Sequence, residues 1–211
     1  MARAADGSIV AIPVGAAAQY IPGTSYLVGS GASPADIAES RAWLASGTVP
    51  GSTSTGRELA ARALLDLRLL TDSSGATLAG WRTAWRYVWP RDAGFVVVAF
   101  AATGHLPEAA SILDYLAAVA PDNGLWQARY LPDGSGLAPD CRVMQFDGAG
   151  WVPWGVWSWY VASEQSSEAA DLDPYWPMVS ASAEAIITDM GRDGLPSPSS
   201  DYLEHPEPDL T

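Results

Sequence analysis

Lysine is missing from this chain: all 11 basic residues are arginine, set against 24 aspartates and glutamates, for a formal net charge of −13. No basic run interrupts that acidity. Nucleic acid and anionic membranes, both gripped by clustered cations, are therefore poor partners. Cysteine is nearly missing as well. Cys141 stands alone, so no internal disulfide can staple the fold, which must rest on packing and hydrogen bonds. A passive, half-buried thiol is the expected state. Histidine occurs only as His105, expected in a loop or cap, and His205, expected as a solvated neighbour of Glu204. Two distant imidazoles and one thiol make no metal-ligand cluster, no glycine loop that would cradle a phosphate is evident, and no cofactor is expected. No apolar run approaches the roughly 20 residues of a bilayer span. Ser8 to Ala18 (SIVAIPVGAAA), behind Arg3, has some look of a secretory leader, but Asp6, Pro13 and Gly15 argue against it. It reads as an extended segment, and export stays open between cytoplasmic and secreted.

What the chain has in quantity is aromatic surface. Ten tryptophans and eight tyrosines suit core filling, and they also suit stacking on the apolar C–H face of a pyranose; for any one ring the core is the better expectation. With 48% apolar residues over 211 positions, the chain is long enough to bury a core of about one domain.

Residues 1–50 read as an irregular or short β lead-in with one short helix, capped by Ser33 and opened by Pro34. After the loop SGTVPGSTSTG at 46–56, Thr55 and Glu58 form a capping-box pair for a helix with Leu59, Ala63, Leu67 and Leu70 on its apolar face. From there to residue 211 a hairpin rhythm sets in: helices over Asp92–Ala102 and Pro107–Ala120, a turn-rich loop at 121–148, then helices over Gly150–Ser163 and Pro174–Met190. Each loop delivers an acid just before a helix. Asp92, Asp147 and Glu204 recur at a near-constant interval of roughly 55 residues, so equivalent loops are expected at one rim. Taken singly, each acid is better explained as a helix N-cap; the recurrence, with aromatics beside each, favours a site.

Three loops carry the chemistry. Trp85-Arg86-Tyr87-Val88-Trp89-Pro90-Arg91-Asp92 combines rings with an Arg-Asp pair able to hold vicinal hydroxyls, or simply to pin the loop as a local salt bridge. The second holds Trp126, Arg129, Tyr130, Gln145, Phe146 and Asp147, again a mixture suited to a neutral polyol. The third is Ser200-Asp201-Tyr202-Leu203-Glu204-His205. Apolar neighbours there would keep Glu204 protonated, as a general acid requires, whereas a helix N-terminus would favour its carboxylate.

WRYVWPRDA, the later DG-W-ARY loop, QFDG-GWV and DYLE, in this order over residues 57–211, resemble the bacterial glucoamylase-like glycoside hydrolases of family 15. The resemblance implies an all-α protein, a partial (α/α)6 toroid of helical hairpins that makes up about the first half of the ring within residues 51–211. It also implies hydrolysis of terminal α-glucosidic bonds with inversion, without a cofactor, on an oligo- or polysaccharide or disaccharide α-glucoside. By resemblance Arg91 and Asp92 bind the released glucose and Trp126 stacks near the cleavage point. Trp89, Arg129, Gln145, Asp147 and Tyr202 complete the binding rim, and Glu204 is the general acid. Leu203 stands where the family usually has Trp, and His205 where it often has a second acid, so the local pocket is expected to differ. The family's general base comes from a hairpin beyond Glu204, so the chain by itself is expected to be a truncated piece, inactive or nearly so. A trehalase or other exo-α-glucosidase on the same scaffold shares these features. So does a non-catalytic carbohydrate-binding fragment, while an isoprenoid cyclase fits less well because Asp171 and Asp173 open an outer helix.

Overall fold

Ser33 sets the first helix. The Asp36 N–H donates to its hydroxyl at 3.2 Å while the Asp36 carboxylate accepts the Ser33 N–H at 2.8 Å, a reciprocal cap that starts α1 (Pro34–Ser46). Helix α2 (Ser54–Leu70) begins earlier than its sequence suggests. Thr53, not Thr55, is the cap: its hydroxyl accepts the Gly56 N–H at 3.0 Å, which leaves Thr55 inside the first turn. The buried face also differs from expectation. Leu64, Leu65 and Leu69 are buried whereas Leu59 is 66% exposed. Leucines lie on both sides of this helix, so helical spacing alone admits two apolar stripes and tertiary packing selects between them.

The computed structural model describes residues 1–4, 6–13, 15–138, 144–166, 170–192, 194–197, 199–200 and 208–209. Cys141, Asp201, Tyr202, Leu203, Glu204 and His205 lie outside the described residues. The chain forms two compact units. One is Met1–Leu70 with Thr103–His105, the other Thr71–Ala102 with Leu106–Thr211, so α2 belongs with the lead-in. In the first unit β1 (Ala2–Arg3) pairs antiparallel with β2 (Ile9–Val10), as the extended reading of this stretch anticipates. His105 is buried there and stacks on Trp43, ring centroids 4.0 Å apart and planes 13° apart.

The second unit holds two helical hairpins, α3 (Pro90–Ala102) with α4 (Leu106–Val119) and α5 (Gly148–Ser166) with α6 (Trp176–Asp189). A two-residue pairing of β3 (Ser199–Ser200) and β4 (Pro208–Asp209) follows. Six α-helices and these short strand pairs among the described residues make the protein all-α in class. None of those helices is long and apolar enough to cross a membrane.

Helix α3 opens two residues before its expected start. Pro90 begins it, with the Trp89 carbonyl accepting the Ala93 N–H at 2.9 Å, because a first-turn proline loses no hydrogen bond. Asp92 therefore sits in the first turn of α3, not ahead of it. Helices α3 and α5 run parallel and very close. A Cβ built on Gly94 would come 2.7 Å from the Trp151 carbonyl oxygen, and the position of a Cβ at Gly155 lies 3.5 Å from both the Gly94 Cα and the Val97 Cβ. Only glycine at 94 lets the backbones approach so nearly. Around this contact Val88, Val97, Phe100, Ile112, Leu113, Leu116 and Val152 are fully buried.

Candidate functional site

The segment before α3 is tied down by the loop before α5. Val88 and Tyr130 exchange both backbone hydrogen bonds, at 3.0 and 2.8 Å. Tyr130 bridges onward to Leu137, and Gln127 to Met144. The Gln145 N–H donates to the Trp126 carbonyl at 3.2 Å, so the chain re-enters at Asp147 facing the start of α3. The Asp147 carbonyl accepts the Gly150 and Trp151 N–H groups, both at 3.0 Å. Its side chain is left for another partner.

That partner is Arg91. Its Nη1 donates to Asp147 Oδ2 at 2.6 Å, with side-chain exposures of 29% and 20%. A charge-assisted bond this short, partly open to water, contributes on the order of 1 kcal/mol to stability. Its larger consequence is geometric, since it fixes the N-terminal ends of two parallel helices to each other. Asp92 lies beside Arg91 on the same helical turn and is exposed as a residue, although its carboxyl is partly withdrawn from water. Loss of hydration is the main cause holding its carboxyl above the usual range. Arg91 and its own backbone N–H pull it down, and Asp147 pushes it up. The site is thus the Arg91–Asp147 ion pair with a second carboxyl, that of Asp92, reluctant to ionise at the neighbouring position of α3. Such a set can donate and accept toward adjacent hydroxyls of an uncharged ligand.

Of the other described residues named from sequence, Trp89, Trp126, Arg129 and Gln145 are buried rather than presented. Trp126 is wholly enclosed, its indole N–H donating to Ser182 Oγ at 2.9 Å. The resemblance gives it a stacking role, but in this structure no face of the ring is open to a sugar; it packs the core and links the loop to α6. Trp89 is 2% exposed, Gln145 4% and Arg129 6%. Arg129 Nη1 donates to the Ala84 carbonyl at 2.6 Å, and its guanidinium lies 4.2 Å from the Tyr87 ring centroid and 5.3 Å from that of Trp89. Tyr130 is buried too, which pushes its phenol above the ordinary tyrosine value. Among the described residues no group of three or more His, Cys, Asp or Glu side chains is placed to hold a metal ion.

Set against protein-family models, curated proteins and solved structures, the chain matches none. The site is judged on its own chemistry.

Two features of it escape a reading of the sequence. Ser182, on the far hairpin, is the partner of Trp126, and no local pattern joins residues 56 positions apart. Thr83 adopts φ of 37° in the turn before Trp85, a conformation disfavoured for a β-branched residue and without a sequence signal. A groove of about 720 Å³ in the first unit, lined by Tyr20, Glu58, Leu59 and Arg62 among others, stands apart from this chemistry. There Arg62 pairs with Asp66, donates to the Met1 carbonyl at 2.8 Å and lies 3.6 Å over the Tyr20 ring.

Proposed function

We propose that the second unit carries the glucose-binding rim of a glucoamylase-like glycoside hydrolase, with its hairpins belonging to an (α/α)6 toroid. The proposed ligand is the terminal α-glucosyl unit of an oligo- or polysaccharide or of a disaccharide. One observation carries this reading: the Arg91–Asp147 ion pair joins the acid-bearing ends of two consecutive hairpins. Parallel packing of α3 and α5 supports it, because equivalent helices of successive hairpins in a toroid run the same way. The chemistry supports it as well. A glucosyl unit has no charge to grip, and a guanidinium paired with one carboxylate beside a second carboxyl offers both donors and acceptors to its hydroxyls.

On this reading Arg91, Asp92 and Asp147 bind the sugar, and Glu204, by resemblance, is the acid that protonates the departing glycosidic oxygen. Inversion requires a second carboxyl about 6.5–9.5 Å from the first, with room for the attacking water. Asp147 is paired with Arg91 and Asp92 is assigned to the ligand, so neither is given that role. Calorimetric titration with maltose tests the binding half of the proposal. Saturable binding is expected for the wild type, weakened at least tenfold, about 1.4 kcal/mol, by Arg91→Ala and by Asp147→Asn. Equal binding by all three proteins would overturn it.

A further inference from the structure

The rings of the loop before α3 are organised around one buried cation. In the antiparallel pairing of Val88 with Tyr130, the residues flanking each partner point the same way, which sets Arg129 opposite Trp89 and diagonal to Tyr87. The distances agree: the guanidinium lies within cation–π range of both rings. The same guanidinium donates to the Ala84 carbonyl at 2.6 Å, one residue after Thr83 with its φ of 37°. A non-glycine residue stays in that region only where its surroundings over-determine it. The turn is also closed by Trp85 N–H to the Arg82 carbonyl at 2.8 Å, Arg86 N–H to the Thr83 carbonyl at 3.2 Å and Gly80 N–H to the Trp85 carbonyl at 2.9 Å. At the other end of the loop the Trp89 carbonyl caps α3, whose first turn bears Arg91 and Asp92.

We propose that Arg129 is a positioning residue for the Arg91–Asp92 site, not a group that touches the sugar. It acts through two routes, the strained turn at Thr83 and the Trp89 ring whose backbone starts α3. At 6% exposure its guanidinium has little surface left for a ligand. The role requires arginine, because a planar fork can stack on two rings while bonding a carbonyl in plane, and an ammonium cannot. The sugar-binding arm of this inference rests on the function proposed above; the structural arm does not.

Arg129→Lys keeps length and charge and removes the fork and the flat stack. Hydrogen exchange should show the Trp85, Arg86 and Val88 amides at least tenfold less protected than in the wild type, with the amides of α4 and α6 unchanged. The near-UV circular dichroism of the tryptophans should weaken. Maltose affinity should fall about tenfold, although no contact to the sugar is removed. Unchanged protection at residues 85–88 would overturn the inference, whether or not maltose affinity falls. Equal loss of protection in α4 and α6 would also overturn it, since the role would then be global. A wild type that binds no maltose would refute the proposed function and leave the exchange result to decide the role of Arg129.

Discussion

At the scale of single residues, the surroundings of Asp92 hold its carboxyl above the ordinary aspartate range. Burial raises its pKa above the unfolded value, net of the opposing Arg91 charge, so the folded protein holds this proton more tightly than the unfolded chain. Stability contributed by the group therefore declines as pH rises from the ordinary aspartate range through the folded pKa, and above it the ionised form is a standing cost. Asp92→Asn removes that cost. The variant is expected to melt above the wild type at neutral pH, and the difference should shrink as pH falls to the carboxylate range; thermal denaturation at stepped pH checks it. A melting temperature below the wild type at every pH would mean that attraction to Arg91 outweighs lost hydration. Arg91 and Asp92 could be named from sequence because arginine beside aspartate among aromatics is a compact local signal, and Asp147 because an acid recurs before the next hairpin. The enclosure of Trp126 could not, since it depends on Ser182 and on α6 covering the ring.

At the scale of elements, helix starts were readable where a cap or proline acts within three or four residues. Ser33 with Pro34 illustrates success; Thr53 and Pro90 show the limit, each starting its helix two residues before the expected place. The buried face of α2 was not readable, because leucines on two sides leave the choice to packing. The contact of α3 with α5 yields a sharper expectation. Gly94→Ala would drive a methyl to 2.7 Å from the Trp151 carbonyl oxygen, backbone that cannot give way cheaply. The intrinsic helix preference for alanine favours the change by about 0.5–1 kcal/mol, and overpacking opposes it by about 1–3 kcal/mol. The clash is expected to win. Urea denaturation should show Gly94→Ala destabilised by roughly 1–2 kcal/mol, and a stabilised variant would mean the helices separate freely.

At the scale of the whole molecule, the helical class and the hairpin order were legible, since amphipathic spacing and turn-rich loops recur along the chain. The grouping into compact units was not: α2 associates with the N-terminal segment, and so do Thr103–His105 from between α3 and α4. Composition says nothing of such a boundary. The Arg91 site is proposed above to hold an uncharged sugar, across the ion pair that joins the starts of α3 and α5. A high-resolution structure of the protein with maltose tests this claim most directly. The non-reducing glucosyl ring is expected with its hydroxyls within hydrogen-bond reach of Arg91 and Asp92, at the rim where α3 and α5 begin. Maltose absent from that rim at saturating concentration, or seated instead in the groove beside Tyr20 and Arg62, would contradict it.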